Sequence, residues 1–272
     1  MSGMPDPFRL DGRVALVTGG AGILGAHFCA GLARAGAAVA VVDLDAETAE
    51  AVAVSLEDRF GRAALGVGCD VSDPGSVASM VETVTNTLGE IDVLHNNAAS
   101  KSDDLTAFFE PTETYGFVEW RKVMAVNLDG VFLVAQAVGE RMIQRKRGSI
   151  IQTASIYGVV GPDERIYKGS HYLGRVINTP AVYAASKGGV VALSRYLATT
   201  WAQHGIRVNT LTPGGVASGQ NETFATKYAD RVPLGRMAEP EEMVGALVFL
   251  ASDASSYVTG QNIVVDGGLT AW

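Results

Sequence analysis

The sequence predicts an α/β fold, a doubly wound Rossmann-type parallel sheet, with residues 1–272 forming a single domain. Three observations carry that expectation. Short continuous apolar runs alternate with longer amphipathic ones from Val14 onward. Strands buried on both faces read as unbroken apolar runs, and the helices between them let parallel neighbours pair. A glycine-rich turn, Thr18–Gly25, stands between the first apolar run and the first helical stretch, and Asp43 closes the second run.

The elements follow in order. Val14–Thr18 is a β-rich run ending in glycines, Ala26–Ala35 reads as a helix with Gly36 as its cap, and Val39–Asp43 is short enough for a buried strand. A helix from about Ala46 to Phe60, a strand near Ala64–Cys69, a helix across Asp73–Leu88 and a strand at Ile91–Asn96 complete the first half. The second half is expected to run as a long helix Glu119–Arg145, a strand Ser149–Thr153, a helix Pro180–Gln203, a strand Ile206–Thr212, a helix Pro240–Ala251 and a last strand Ile263–Val265. Two stretches break the rhythm, Ser100–Tyr115 and Gly161–Thr179. Irregular insertions of that length in a compact domain are often functional loops.

Composition narrows the function classes. A hydrophobic fraction of 47% with 18% charged residues supports a substantial core and argues against disorder. The net charge of −8 disfavours a nucleic-acid binder, which needs a basic footprint. Cys29 and Cys69 read as free buried thiols. The first residues carry no apolar signal region and no apolar run is long enough to cross a membrane, so a cytoplasmic address is expected. The Asn221-Glu222-Thr223 sequon has no secretory context to use it. His27, His95 and His204 lack metal-ligand spacing, and no metal is expected. Glu241-Glu242 opens a helix and suits its dipole.

The glycine turn fits a pyrophosphate. Glycines at 19, 22 and 25 let the backbone turn tightly and bring helix N-terminal amides to an anion. Asp43 lies 24 residues after Gly19, close to the spacing of about 20 residues expected for a carboxylate that binds adenosine ribose. That carboxylate would repel a 2′-phosphate, Asp45 adds a second negative charge nearby, and the turn holds no Arg or Lys. NAD is therefore expected over NADP.

Tyr183 and Lys187 stand four apart in a helical stretch, which puts them on one face. A free tyrosine has a pKa of about 10, and a nearby ammonium favours its phenolate. With these residues in view, the order of motifs from Val14 to Gly268 resembles the compact branch of the short-chain dehydrogenase/reductase family: the turn Thr18–Gly25, Asp43, Asp70-Val71, Asn96-Asn97-Ala98-Ala99, Asn127, Ser155, Tyr183 with Lys187, Pro213-Gly214-Gly215-Val216 and Asp266-Gly267-Gly268. The resemblance implies hydride transfer between NAD and a secondary alcohol or ketone. It makes Tyr183 the general acid/base and gives Ser155 the substrate oxygen. Lys187 would bind the nicotinamide ribose and lower the tyrosine pKa, and Asn127 would organise a proton-relaying water. It implies a cofactor site of Gly19, Gly22, Ile23, Leu24, Gly25, Asp43, Asp70, Val71, Asn97, Ala98, Tyr183, Lys187, Pro213, Gly214, Val216 and Ser218. Assembly as a homotetramer or homodimer is implied as well, with the apolar tail ending in Trp272 at a subunit contact.

The sequence departs from that pattern. Ile23 stands where the compact branch has glycine, and the resulting glycine spacing also resembles nucleotide-sugar epimerases, whose C-terminal region is longer. Ala99 replaces a glycine. Ser155 and Tyr183 are 28 residues apart, and the added stretch, about 161–179, carries Arg165, Lys168, His171 and Arg175 interleaved with Tyr167 and Tyr172. A guanidinium can hold a carboxylate, phosphate or sulfonate as a fork. The expected partner is thus a small polar molecule, a sugar, sugar acid or polyol, with an anionic group suited to these side chains, contacted by Ser155, Arg165 and Arg175. A nucleotide-sugar epimerase or dehydratase, a steroid or 3-oxoacyl-type reductase, and a non-catalytic NAD sensor stand as alternatives, because a fold does not fix its substrate.

Overall fold

Aliphatic runs too short for helices form strands, and nine appear in the computed structural model, which describes residues 6–102, 104–172 and 174–272; the side chains of Tyr172 and Arg175 also lie outside the described residues. The strands are β1 (Val14–Thr18), β2 (Ala38–Asp43), β3 (Ala64–Gly68), β4 (Ile91–Asn96), β5 (Gly148–Thr153), β6 (His171–Tyr172), β7 (Arg175–Val176), β8 (Ile206–Pro213) and β9 (Asn262–Val265). The helices are α1 (Ile23–Ala35), α2 (Ala46–Phe60), α3 (Pro74–Leu88), α4 (Leu105–Phe108), α5 (Phe117–Met124), α6 (Val131–Arg145), α7 (Ala181–Trp201), α8 (Glu222–Ala229) and α9 (Val244–Ala251).

Seven strands form one parallel sheet in the order β3-β2-β1-β4-β5-β8-β9. Every residue of β1 is buried, and its side chains alternate between two cores. Val14 and Leu16 meet Met80, Val134 and Met142 on the face covered by α3, α6 and α7. Ala15 and Val17 meet Phe28, Leu32 and Leu247 on the face covered by α1 and α9. This alternation follows from the two-residue period of a strand. Strand order reverses between β1 and β4, and the chain leaves their C-terminal ends toward opposite faces. That opens a crevice at the same edge of the sheet.

Local chemistry sets the helix starts. Asp45 caps α2 by accepting from the amides of Glu47 and Thr48, and Asp73 caps α3 with Pro74 at the first helical position. Gly36 ends α1 in the left-handed region at φ 114°. α1 begins at Ile23, three residues before the sequence-based boundary, because the turn's backbone runs straight into the helix without a side-chain cap. The long helix expected across Glu119–Arg145 is present, but residues Ala125–Gly130 are wound as a π-helical segment. By length and composition the continuous stretch Phe117–Arg145 would suit a bilayer, yet Val134, Val138 and Met142 on it are packed into the sheet core. Further elements stand where the sequence reading expects none: α4 within the Ser100–Tyr115 stretch, α8, capped by the Asn221 side chain on the Phe224 amide, and the antiparallel pair β6–β7 inside the insertion.

Candidate active site

The glycine turn closes on itself and on β4. A Cβ on Gly19, which sits at φ +62°, would come within 2.9 Å of the Ala98 backbone, and one on Gly25 would collide with the Gly19 carbonyl oxygen. The Thr18 hydroxyl accepts from the amides of Asn97 and Ala98 at 3.0 and 3.1 Å, and the Asn97 carboxamide donates to the Gly19 carbonyl at 3.3 Å. Gly22 caps α1 with no side-chain acceptor, so the first amides of that helix have none from a capping side chain. One Asp43 oxygen accepts from the Ala21 amide at 3.0 Å and the other from Leu44 at 2.8 Å, which seats the carboxylate over the turn. Uncapped amides, absent Cβ atoms and this carboxylate together fit a pyrophosphate with an adenosine ribose beside it. Asp45 is otherwise engaged, because its carboxylate caps α2 and binds the Thr48 hydroxyl at 2.8 Å. The Asp70 carboxylate turns onto Ser72, accepting from its amide and hydroxyl, and Val71 is buried against Gly130.

Past the end of β5, burial raises the pKa of the Tyr183 phenol, and the neighbouring Ser155 hydroxyl offsets part of that rise. One turn along α7, the Lys187 ammonium is 2% exposed, donates to the Thr153 carbonyl at 2.9 Å and sits 5.9 Å from the Tyr183 ring centroid. Burial lowers its pKa to about 8. Asn127 lies in the π-helical segment, fully buried, with its Oδ1 accepting from the Ser100 amide at 2.8 Å. It anchors the start of the 100–115 stretch. Beneath the site, His95 bonds the Thr153 hydroxyl through Nε2 at 2.8 Å. Burial and then the Lys187 charge push its pKa down to about 3, so it is a neutral packing residue against Phe28.

These residues divide two adjoining chambers. The first, about 300 Å³, is lined by Ile23, Leu24, Asn97, Ser155, Tyr183, Lys187, Pro213, Gly214, Val216 and Ser218, all anticipated as cofactor or catalytic positions, and also by Ala99, Lys101, Thr153 and Ala154. The second, about 260 Å³, shares Lys101, Ser155, Tyr183, Gly214 and Ser218 with it and extends under the insertion to Tyr157, Tyr167, Asn178 and Thr179, with α8 contributing Phe224 and Tyr228. Gly19, Gly22, Gly25, Asp43, Asp70, Val71, Ala98 and Asn127 lie outside both linings.

The insertion contributes Tyr167, Ile177, Asn178 and Thr179 to the second chamber, and Arg165 is not among its lining residues. Arg165 is 89% exposed and forks onto Asp163 at 2.8 Å through two nitrogens. Asp163 also pairs with Arg231, and these cations hold its carboxyl down at about 2. Arg165 is thus turned to solvent, neutralised by a neighbour two residues away, and does not line the chamber. The Arg175 side chain lies outside the described residues. Aromatic and hydroxyl side chains supply the wall instead, and their signal in the sequence was the interleaving of Tyr167 with the basic residues.

With that geometry in view, likeness to known proteins becomes informative. A family model described as enoyl-(acyl carrier protein) reductase matches residues 20–270. D-threitol dehydrogenase of Mycolicibacterium smegmatis is 39% identical over 97% of this chain and 95% of its own. A gluconate 5-dehydrogenase from Burkholderia cenocepacia, solved in complex with NADP and tartrate, superposes with a TM-score of 0.87 at 36% identity over 98% of each chain. A short-chain type dehydrogenase/reductase from Mycobacterium marinum gives 0.85 at 34% identity over 98% of each. The chain belongs to the short-chain dehydrogenase/reductase family. As a short-chain dehydrogenase/reductase it is an oxidoreductase of CH–OH groups that binds a nicotinamide cofactor. The family's compact, mostly parallel sheet is the one described above.

Proposed function

We propose that this chain oxidises or re-forms a secondary hydroxyl of a polyol, sugar or sugar acid, with NAD as its cofactor and Tyr183 as the acid/base. The observation that carries the reading is the placement of the Ser155 and Tyr183 side chains in the wall common to the two chambers, with Lys187 buried one turn away. A group bound across that wall meets a cofactor on one side and a substrate oxygen on the other. A bound nicotinamide supplies the hydride acceptor or donor. The protein's own part is proton handling and positioning. Ser155 holds the reacting oxygen, and Tyr183 takes its proton during oxidation and returns it during reduction. The Lys187 ammonium holds the nicotinamide ribose and favours the phenolate over the neutral phenol. Asn127 braces Ser100 and organises the water through which the proton leaves.

The substrate class rests on the hydroxyls of Ser155, Tyr157, Tyr167 and Thr179 set into the otherwise largely apolar second chamber, and on relatives named for threitol and gluconate. The preference for NAD rests on Asp43, whose carboxylate is fixed over the turn by two amides and would face a 2′-phosphate. Cytoplasmic residence and assembly with further copies of itself belong to the same reading. An apolar groove between α3 and α6, lined by Val77, Leu133, Ala137 and Ile143, and the 83% exposed Trp272 support the second point. The deciding experiment follows NADH and NADPH formation over a panel of polyols, sugars, sugar acids and apolar secondary alcohols. Turnover of polyols or sugar acids with NAD is expected. Turnover of apolar alcohols alone, or equal use of NADP, would refute the corresponding half of the proposal.

A further inference from the structure

The wall of the second chamber contains a row of three hydroxyl groups that the reaction described above does not use. Tyr157 follows Ser155 by two residues, and its amide donates to the Ser155 hydroxyl at 3.3 Å. The Tyr167 hydroxyl, contributed by the insertion, donates to the Tyr157 hydroxyl at 3.0 Å and bonds the Thr179 hydroxyl at 2.5 Å. All three residues line the substrate chamber. Tyr167 is clamped by Phe224 of α8, whose ring lies 5.5 Å away, centroid to centroid. Its single proton goes to Tyr157, so the bond to Thr179 must use the threonine's proton. Three hydroxyls and two bonds leave one proton over, and it is that of Tyr157. Burial pushes both phenols above their ordinary range, so they remain protonated at any working pH. A donor at the end of such a row is polarised by the bonds behind it.

We propose that Tyr157 is a specificity-determining donor to a substrate oxygen other than the one that reacts, and that Tyr167 and Thr179 are positioning residues that aim and polarise it. The inference rests on the oxidoreductase reading above and narrows its substrates to those with at least two oxygens in reach of the site. It also gives the insertion a function. The long stretch between Ser155 and Tyr183 brings a second tyrosine to brace a first, where a shorter connection would leave Tyr157 without Tyr167.

A matched pair of substrates tests it: 2,3-butanediol, which carries a second hydroxyl beside the reacting carbon, and 2-butanol, which does not. A neutral hydrogen bond contributes a net ~0.5–1.5 kcal/mol, and a donor left unpaired in a buried wall costs more. Tyr157→Phe is therefore expected to lower kcat/KM for the diol by about tenfold relative to its effect on the mono-alcohol. Tyr167→Phe and Thr179→Val should each give a smaller loss of the same selectivity, with Thr179→Ser restoring it. Combining Tyr157→Phe with Tyr167→Phe should add nothing on the diol, since both act through one bond. Equal losses on diol and mono-alcohol, or no loss, overturn the proposal, because a collapsed wall would harm both alike. Failure of the wild type on every polyol and sugar acid, with diol selectivity still lost in Tyr157→Phe, would instead remove the substrate class and leave the role of Tyr157 standing.

Discussion

The two chambers are built from different material. The cofactor side is made of strand ends and the turn that follows β1, so its geometry is dictated by the sheet. The substrate side is assembled from many separate stretches, among them residues near Phe108, the segment after Ser155, the insertion, the loop Gly214–Gln220 and α8. On the first side a single atom added to a glycine is intolerable, as at Gly25. On the second side a chain of hydroxyls and aromatic rings is held by weak contacts among themselves. One side is thus fixed by backbone contacts and the other by contacts among side chains.

Substitutions on each side test this contrast. The largest effect is expected in the shared wall. Tyr183→Phe should lower kcat by about 10²–10⁴-fold while the affinity for NAD, measured by titration, changes little, because only a proton carrier is removed. Wild-type turnover in that variant would show that another group moves the proton. Next comes the cofactor side. Gly25→Ala should abolish NAD binding or folding, read by calorimetry and thermal melting, since the added carbon strikes the Gly19 carbonyl. On the same side, Asp43→Ala should weaken NAD binding and narrow its advantage over NADP by about tenfold or more, because a carboxylate hydrogen bond and a repulsion are both lost. Equal affinities in the wild type would show that Asp43 does not face the ribose.

A subtler effect joins the two sides through pH. Oxidation needs the Tyr183 phenolate, so its rate should rise as pH climbs toward the tyrosine's pKa. Lys187→Met removes a cation from beside the phenol, which should move that limb to higher pH. An unchanged limb would mean that Ser155 and the cofactor alone set the tyrosine. The smallest effect belongs to the insertion's surface. Arg165→Ala should leave KM for acidic and neutral substrates within about twofold of wild type, as an exposed ion pair contributes little. A selective rise for the acidic substrate would restore Arg165 to recognition.

The legibility of the sequence follows the same division. Asp43, the glycines and the Tyr183–Lys187 spacing were readable because each constraint is local: a turn, a strand end, a helix face. The positions of Pro213, Gly214 and Val216 were readable through family likeness, and the structure brings them beside Lys187. The insertion stands out in the sequence by its length and its charges, but where Arg165 turns is not legible from its charge alone. Asp163 two residues before Arg165 was the available sign that the guanidinium had a partner. α8 escaped notice because Glu222–Ala229 is short and polar, and only tertiary contact gives Phe224 and Tyr228 their role. The π-helical turn at Ala125–Gly130 has no composition signal, since it interrupts an otherwise regular helical pattern. Lys101 and Tyr157 likewise gain meaning only when distant segments fold over β5.

The Tyr228 hydroxyl on α8 accepts from the Gly215 amide, and a Cβ on Gly215 would run into the Tyr228 ring. Gly214, beside it, borders both chambers. The lid over one room is thus fastened to the floor of the other. A displacement of α8 would therefore carry the Gly215 backbone with it, so the wall of the substrate chamber and the strand end beside the cofactor chamber are mechanically one piece.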